Sequence, residues 1–538
     1  MTSVRKIRPR TRSRDLFSSC AMLLAVIIFT SGFVSPENDD PVVKKSVLGI
    51  EAAQHLLGRT SFGVPFTQVQ HIASLSKQAA VQELLDSLQT EAETSYPSWA
   101  NMRPDEVRKQ RGNTDESKKA FQKQSRRWQT ELRAWWAREL LSTTSPLTER
   151  LVLMWHGHFT SEMKKVRSAQ AMLQQNNLFR SHGSGDFREL LQAISLDPAM
   201  TIYLDTRRST RQKPNENFAR ELFELYGLGE GNYTESDVQE AARAFTGYRI
   251  NPKNGKVQQS RRQHDSGQKT VLGVTGKLGA EEVVEAVIQH PACPKWISQR
   301  FWTEFVSPTP DPVVIEKWAR TLVENKWQLK KLLEQVLLSE AFWAIENRGA
   351  LVKSPVDLVV GTIRKFQLEE APSGLALRSF TRLGQQLFDP PNVAGWPGAE
   401  NWIDATTLLE RRRFLAEEIN NIAMLSIKKR TSADQRKEKS DDPPQMDPQM
   451  DPQMDPQMGP TQQEVPKRLT RADRRRLQPR VQSFFETIWV TLADQQIQRR
   501  KVLLDWLLPL TPVTEIPETG TGIQLMRAVL LDPTYQLK

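Results

Sequence analysis

The stretch ELRAWWARELLSTTSPLTERLVLMWHGHF, residues 131–159, decides the fold class. Apolar residues recur at three- and four-residue spacing on both sides of residues 143–144, which predicts two successive helices. Ser145 supplies an N-cap and Pro146 a first-turn proline, so the second helix is expected to begin there. Because comparable periodicity covers residues 46–427, we predict an all-α protein with one large multi-helix unit.

One short region departs from the helical pattern. Between Tyr248 and Gly273 the dipeptide Asn254-Gly255 is a hairpin turn signal, and the runs YRI and TVL on either side have the composition of short strands. The sequence therefore predicts a small β-hairpin or flap at residues 248–273.

The N-terminus has the pattern of an export segment. Six Lys or Arg residues precede Asp15, residues 16–34 carry no charge, and residues 21–29 are continuously apolar. This order is typical of a signal peptide, and the uncharged stretch, at nineteen residues, is of marginal length for an N-terminal membrane anchor. Residues 1–45 are therefore assigned to a leader or anchor plus linker, with both fates open. Either fate predicts an extracytoplasmic location, secreted or membrane-anchored, with the membrane as a partner if the leader is retained.

A second appendage interrupts the C-terminal part. Residues 428–480 contain PPQM followed by three DPQM repeats, flanked by basic runs. Proline at every fourth position removes backbone donors and forbids a helix, so this charged, low-complexity insertion is expected to be disordered. Residues 481–538 are predicted to form final helices that pack on the body. The role of the insertion is left open.

The net charge of +11 suggests nucleic acid only until its distribution is considered. The first fifteen residues contribute +5 and residues 428–480 contribute +4, which leaves the body nearly neutral. We therefore expect no nucleic-acid partner. With two cysteines, Cys20 and Cys293, the chain has neither a disulfide scaffold nor a thiolate-rich zinc site, and Cys293 is expected to be a small buried hydrophobe.

The first candidate site lies in TRRSTRQKPNENFARELFELYGLG, residues 206–229. If Asn215 caps a helix, helical spacing puts polar side chains on one face and apolar side chains on the other. The candidate catalytic residues are Arg220, Glu221 and Glu224, and the candidate ligand-binding residues are Asn215, Glu216 and Asn217. Two carboxylates beside an arginine suit cation binding or general acid catalysis. The alternative is an internal ion-pair network.

The second candidate site is WHGHF. In an extended segment His156 and His158 would point the same way and chelate one divalent metal, whereas on a helix they would diverge. His264 and Asp265 in the flap are candidates for further ligands. Histidines that pack against the core or cap a helix are the alternative.

The third candidate site is LGQQLFDPPNVAGWPGAENWID, residues 383–404. Its prolines stiffen a loop in which Trp396 and Trp402 would present flat faces to a sugar or peptide ligand. Equally, the two indoles would fill a gap between helices.

These motifs also occur together. Six motifs follow one another along the chain: WHGHF, DPAMTIYLD, NENFARELFELYGLG, YTESDVQEAARAFTGY, KSPVDLVVG and PPNVAGWPG. Their order is typical of a bacterial family classed as domain of unknown function number eighteen hundred. The chain resembles this family from about Leu48 to Arg413 and again in its last helix. Gly157 replaces the asparagine usual in WHNHF, and the DPQM insertion is a further departure. The resemblance implies a mostly helical, often exported protein of uncharacterised activity, frequently encoded beside a sulfatase-like family.

The leading hypothesis is an exported envelope protein whose polar site binds a ligand or a divalent metal. Its enzymatic form is metal-assisted hydrolysis of an envelope or extracellular polymer, with one glutamate as the base. The alternative is a non-catalytic scaffold that holds partners, among them an envelope polymer or a co-encoded sulfatase-like protein.

Overall fold

Helices account for most of the chain in a computed structural model that describes residues 47–368, 372–428, 469–493 and 496–538. The described strands form only two short hairpins. The prediction of an all-α fold with a small β flap is confirmed. The predicted leader and the DPQM repeats lie outside the described residues.

The first part of the fold contains twelve α-helices. They are α1 (Ile50–Thr60), α2 (Phe66–Ala73), α3 (Lys77–Asp86), α4 (Pro104–Gln110), α5 (Asp115–Ser142), α6 (Pro146–His158), α7 (Met163–Val166), α8 (Ala169–His182), α9 (Phe187–Ser195), α10 (Pro198–Tyr203), α11 (Asn217–Glu221) and α12 (Glu235–Ala244). A 3₁₀ turn covers Thr206–Arg208, and α11 continues directly into a π-helical turn at Leu222–Gly227.

Four strands follow α12. They are β1 (Tyr248–Ile250), β2 (Val257–Gln259), β3 (Lys269–Val271) and β4 (Val274–Gly276). β1 pairs antiparallel with β2, and β3 pairs antiparallel with β4. Gly255 has a φ of 72° in the loop that joins β1 to β2, which agrees with the predicted turn.

The remaining helices complete the body. They are α13 (Ala280–Gln289), α14 (Ala292–Phe305), α15 (Pro312–Glu324), α16 (Leu329–Leu338), α17 (Glu340–Trp343), α18 (Pro355–Lys365), α19 (Ser373–Arg382), α20 (Ala405–Arg413), α21 (Arg471–Thr491), α22 (Gln496–Leu507) and α23 (Gly522–Leu531). After a π turn at Phe414–Glu418, the helix that begins as α20 extends over residues 419–428. Further 3₁₀ turns lie at Ile345–Asn347, Ala399–Trp402 and Pro533–Gln536.

The quoted stretch forms the centre of the core. Trp135 and Trp136 of α5 and Trp155 of α6 are completely buried. The buried carboxylate of Glu149 accepts hydrogen bonds from Trp136 Nε1 at 2.8 Å and from Arg180 Nε at 2.7 Å. A buried charge is tolerated when it is paired and hydrogen-bonded, so this contact fixes the angle between α5 and α6. Cys293 is buried and unbonded to sulfur, as expected.

After the final helices, the end of the chain lies beside the start of α18. Trp506 of α22 lies with its ring centroid 5.7 Å from that of Phe66. Near the end of the chain, Lys353 N donates to Gln536 O at 2.7 Å and Lys538 N donates to Leu351 O at 2.8 Å. These backbone bonds place the side chain of Lys538 beside the first turn of α18.

The predicted boundary between the insertion and the final helices needs correction. α21 begins at Arg471, inside the predicted 428–480 segment, because Thr470 and Asp473 form a capping box. The basic run RADRRR thus belongs to a helix. None of the described helices combines the length and the apolar character needed to cross a bilayer. The predicted leader or anchor precedes the described residues.

Candidate ligand-binding cleft

A cleft of about 460 Å³ opens between α6, α14, the start of α18 and the loop that follows α19. This volume lies within the range of small-molecule binding sites. Charged, aromatic and amide side chains line it, among them Arg150, His158, Trp296, Arg300, Glu304, Asp357, Trp396, Asn401, Trp402 and Lys538.

A buried ion network forms the floor of the cleft. Asp357 Oδ1 accepts from Arg150 Nη2 at 2.5 Å, and Asp357 Oδ2 accepts from Lys538 Nζ at 2.8 Å. Arg150 Nη1 also lies 3.6 Å from Glu304 Oε1. The side chains of Arg150 and Asp357 are only 2% and 5% exposed, so water screens this network little.

Local sequence explains why Asp357 lies there. The run Ser354-Pro355-Val356-Asp357 is a capping box in which Asp357 N donates to Ser354 Oγ and Ser354 N donates to Asp357 Oδ2. Although burial alone raises the pKa of Asp357, the charges of Arg150 and Lys538 hold that pKa well below its ordinary value. The carboxylate is therefore ionised at every physiological pH.

Arg300 and Glu304 stand nearer the mouth of the cleft. They are one helical turn apart on α14, with Arg300 Nη2 3.2 Å from Glu304 Oε2. Both side chains are more exposed than the floor residues Arg150 and Asp357. The guanidinium of Arg300 is thus the cationic group of the wall that an entering ligand reaches first.

Aromatic side chains form the other wall. Trp396 and Trp402 both line the cleft, as the ligand-binding interpretation of this loop expects, and Trp296 faces it from α14. A backbone contact holds the loop: Gly395 has a φ of 93°, and a Cβ on it would lie 2.2 Å from Gly157 O. Only glycine permits this approach. The Trp396 Nε1 donor is buried without a hydrogen-bond partner among the described residues.

The two histidines of WHGHF have separate environments. α6 remains helical through His158, so the extended form that chelation requires is absent. His156 is buried against Trp136, Phe388 and Trp396, and burial lowers its pKa to about 3. It is a packing histidine.

His158 lines the cleft and connects it to the π turn. Its Nε2 lies 3.0 Å from Tyr226 O, and because a carbonyl only accepts, this nitrogen carries the proton. Burial first, and then the charge of Arg300, lower the pKa of His158 to about 3, so the ring is neutral. The neighbouring carbonyl of Leu225 accepts from Trp296 Nε1 at 2.9 Å. The π turn thus orients two side chains of the cleft.

The flap residues have partners elsewhere. His264 Nδ1 lies 2.9 Å from Thr246 O, and Asp265 Oδ2 accepts from Arg243 Nε at 2.8 Å. Within the described ranges, no group of three or more His, Cys, Asp or Glu side chains could hold a metal ion. The structure does not assemble His156, His158, His264 and Asp265 into the predicted divalent-metal site.

The polar face of α11 consists of ion pairs outside the cleft lining. Arg220 Nη2 lies 2.5 Å from Glu235 Oε1 and 3.2 Å from Glu216 Oε2. Glu224 accepts a hydrogen bond from the Tyr233 hydroxyl at 3.1 Å. Burial and the charge of Glu224 raise the pKa of the half-buried Glu221.

α11 begins one residue later than an N-cap at Asn215 would give. Asn215 Oδ1 accepts from Asn217 N at 2.9 Å, which forms a turn before the helix, and the helix itself begins at Asn217. Of the twelve predicted site residues, only His158, Trp396 and Trp402 line the cleft.

Sequence reasoning missed the charged floor and wall. These residues are Arg150, Arg300, Glu304, Asp357 and Lys538. One usable signal was Arg150 within the apolar run LTERLVLMW, since a lone arginine on such a helix needs a buried partner. The capping box at Asp357 was a second signal. No rule of sequence spacing connects Arg150 with Asp357.

Fold and cleft together define a helical protein with a partly buried cleft that charged and aromatic side chains line. A family model described as "Protein of unknown function (DUF1800)" matches residues 55–537, and the chain belongs to this family. Membership agrees with the resemblance found in the motifs. Neither a curated protein nor a solved structure matches the chain.

Proposed function

We propose that the protein binds a segment of an acidic glycan, a chain of sugar rings that carry carboxylate or sulfate groups, in this cleft. The observation that carries the proposal is the combination of cationic side chains and indole faces on the walls of one cavity of about 460 Å³. Cations attract the acidic groups, and flat aromatic faces pack against sugar rings.

The charge around the cleft favours an anion. Arg150, Arg300 and Lys538 line it together with only two carboxylates, Glu304 and Asp357. Asp357 already neutralises one of these cations, and Glu304 lies between the two arginines. A bound anionic group would satisfy the remaining positive charge with short, charge-assisted hydrogen bonds.

The aromatic wall narrows the class of anion. Trp396 and Trp402 come from one loop, and Trp296 comes from α14. An inorganic anion or a simple phosphate would use none of these faces. A sugar ring would bury its apolar face against an indole and present its hydroxyl groups to side chains such as Asn401.

Binding fits the cleft better than hydrolysis. Glycoside hydrolysis needs one carboxylic acid that can donate a proton. Both carboxylates of the lining accept contacts from guanidinium groups, and the charges of Arg150 and Lys538 hold Asp357 in its ionised form. A scaffold function is also less well supported, since Trp396 and Trp402 line the cleft rather than an outer surface.

Export accords with such a ligand. Acidic polymers of the envelope or of the surroundings are met outside the cytoplasm, and the N-terminal pattern of residues 1–34 is that of an export segment. A C-terminal reporter that is active only outside the cytoplasm is the expected result. Activity of a reporter that requires the cytoplasm would contradict this part of the proposal.

The ligand class is tested by isothermal titration calorimetry with matched oligosaccharides. A galacturonic acid tetramer is titrated against its neutral galactose counterpart at the same ionic strength. The acidic chain is expected to bind at least tenfold more tightly, and Trp402→Leu is expected to weaken it. The matched control is Trp343→Leu, a partly buried tryptophan outside the cleft lining. Equal affinities for the two oligosaccharides would refute the proposal.

A further inference from the structure

A second, much smaller cavity lies behind the ion network. Its volume is about 30 Å³, and it is lined by three lysines, Lys353, Lys365 and Lys538, by one carboxylate, Asp357, and by His55 and Tyr535. We propose that this cavity binds a single small inorganic anion of the size of chloride. The proposal concerns a different cavity and does not depend on the ligand of the larger cleft.

The balance of buried charge is the first argument. Asp357 interacts electrostatically with five cationic side chains, which are Arg59, Arg150, Lys353, Arg411 and Lys538. A sixth, Lys365, interacts with Lys353. With Glu304 as the second carboxylate of this region, the cations remain in excess. Isolated buried charges are costly, so a site of this kind gains stability when an anion enters.

The partners of the lysines are the second argument. Lys365 Nζ lies 3.3 Å from Trp506 O, and Lys353 Nζ donates to Tyr535 O at 2.5 Å. These partners are neutral carbonyls, and no carboxylate among the described residues pairs with either ammonium group. Lys353 Nζ also lies 3.9 Å from the Tyr535 ring centroid and Lys365 Nζ 5.5 Å from it. Two lysine amino groups thus lie near one ring and hydrogen-bond to neutral carbonyls rather than to a carboxylate.

The volume of the cavity is the third argument. A cavity of about 30 Å³ has room for one or two water-sized species, so an organic acid or a sugar is too large. A halide fits, because it is spherical and accepts hydrogen bonds from several directions. His55, whose buried Nδ1 has no partner among the described residues, also lines this cavity.

The competing explanation for the unpaired lysines is that Lys365 loses its proton and becomes neutral. Burial lowers the pKa of Lys365 to about 7, so an empty cavity would relieve part of its charge by releasing protons. A bound anion opposes this release. The two explanations therefore differ in whether halide binds.

The test uses the whole protein in two measurements. Thermal unfolding is followed while sodium chloride replaces sodium gluconate at constant ionic strength, because gluconate is too large for the cavity. A saturable rise of Tm by several degrees with chloride is expected. Crystals soaked in bromide are expected to show an anomalous scattering peak between the three Nζ atoms. A Tm that does not depend on which anion is present, or a bromide-soaked crystal without that peak, would overturn the proposal.

A substitution tests whether the chloride dependence of Tm arises in this cavity. Lys365→Met is expected to abolish the chloride dependence of Tm, whereas Lys317→Met, which removes an exposed lysine of α15, is expected to keep it. If Lys365→Met does not fold, the bromide-soaked crystal of the unchanged protein still decides. Oligosaccharide binding in the larger cleft is measured in parallel, and its absence would leave the halide result unaffected.

Discussion

The protein holds two clusters of charge that look alike in composition and differ in environment. The first is the Arg220 cluster, formed by Arg220, Glu216 and Glu235, with Arg220 36% and Glu235 60% exposed. The second is the Asp357 network, formed by Asp357, Arg150 and Lys538, in which every side chain is less than a tenth exposed. Both have an arginine within 2.5 Å of a carboxylate oxygen.

The difference in burial decides what each cluster does. Water and salt screen the Arg220 cluster, so its ion pairs add little to stability. The Asp357 network has been removed from water, so each of its charges depends on the others. The dense polar motif NENFAREL thus forms part of a surface, whereas the charged side chains of the cleft come from five positions that are scattered along the chain.

The largest expected effect comes from neutralising the centre of the buried network. Asp357→Asn leaves Arg150 and Lys538 without their carboxylate, which is expected to cost about 3–5 kcal/mol of unfolding free energy. Glu235→Gln makes the corresponding change in the Arg220 cluster and is expected to leave the urea midpoint almost unchanged. Urea unfolding followed by circular dichroism measures both. Equal destabilisation by the two substitutions would abolish the distinction between the clusters.

The second effect is a pH dependence to which the buried Lys365 contributes. Burial lowers the pKa of Lys365 to about 7 in the folded state, against about 10.4 in the unfolded chain. Between these values the unfolded state binds more protons, so stability rises with pH from about 7 to about 10.

This dependence is measured by urea unfolding across that pH range in chloride-free gluconate buffer. An increase of a few kcal/mol is expected for the unchanged protein, and a smaller increase for Lys365→Met. Arg220→Gln is expected to keep the full increase, since arginine does not titrate in this range. A flat profile for the unchanged protein would contradict the burial of Lys365.

The third effect concerns the wall of the cleft. Gly395→Ala would force a Cβ to within 2.2 Å of Gly157 O at a φ of 93°, so the loop that carries Trp396 must move. A loss of about 1–3 kcal/mol is expected, together with loss of oligosaccharide binding. Gly398→Ala is the matched variant, because a Cβ there meets no atom within 4 Å. Comparable losses in both variants would show that the close contact does not hold the wall.

The smallest effect is a stabilisation. A Cβ at Gly157 would meet only Trp396 Cε3, at an ordinary distance of 3.8 Å. Because glycine is unfavourable in a helix, Gly157→Ala is expected to raise the unfolding free energy by up to about 1 kcal/mol. Thermal unfolding measures the change. A clear destabilisation would mean that α6 ends before Gly157.

Local patterns predicted the fold well. Helical periodicity and the Ser145-Pro146 start gave α5 and α6, and Asn254-Gly255 gave the hairpin of β1 and β2, because these signals act over a few residues. The same local chemistry explains the boundary missed at Arg471. A capping box begins α21 inside a segment whose composition alone indicated disorder.

The site was harder to predict, for a physical reason. Trp396, Trp402 and His158 were found because aromatic and histidine residues stand out in a motif. Arg150, Glu304, Asp357 and Lys538 are each ordinary in their surroundings, and only the tertiary fold brings them together. Of the two interpretations of the histidine pair, the structure favours packing, because chelation required an extended backbone whereas α6 continues through both residues.

Affinity for an acidic oligosaccharide in two arginine variants tests the central claim most directly. The galacturonic acid tetramer is titrated into Arg300→Gln, at the mouth of the cleft, and into Arg220→Gln, in the Arg220 cluster. The cleft variant is expected to bind at least tenfold more weakly than the unchanged protein, which corresponds to about 1.4 kcal/mol or more, and the Arg220 variant is expected to bind as the unchanged protein does. Unaltered binding in Arg300→Gln, or an equal loss in both variants, would contradict the account.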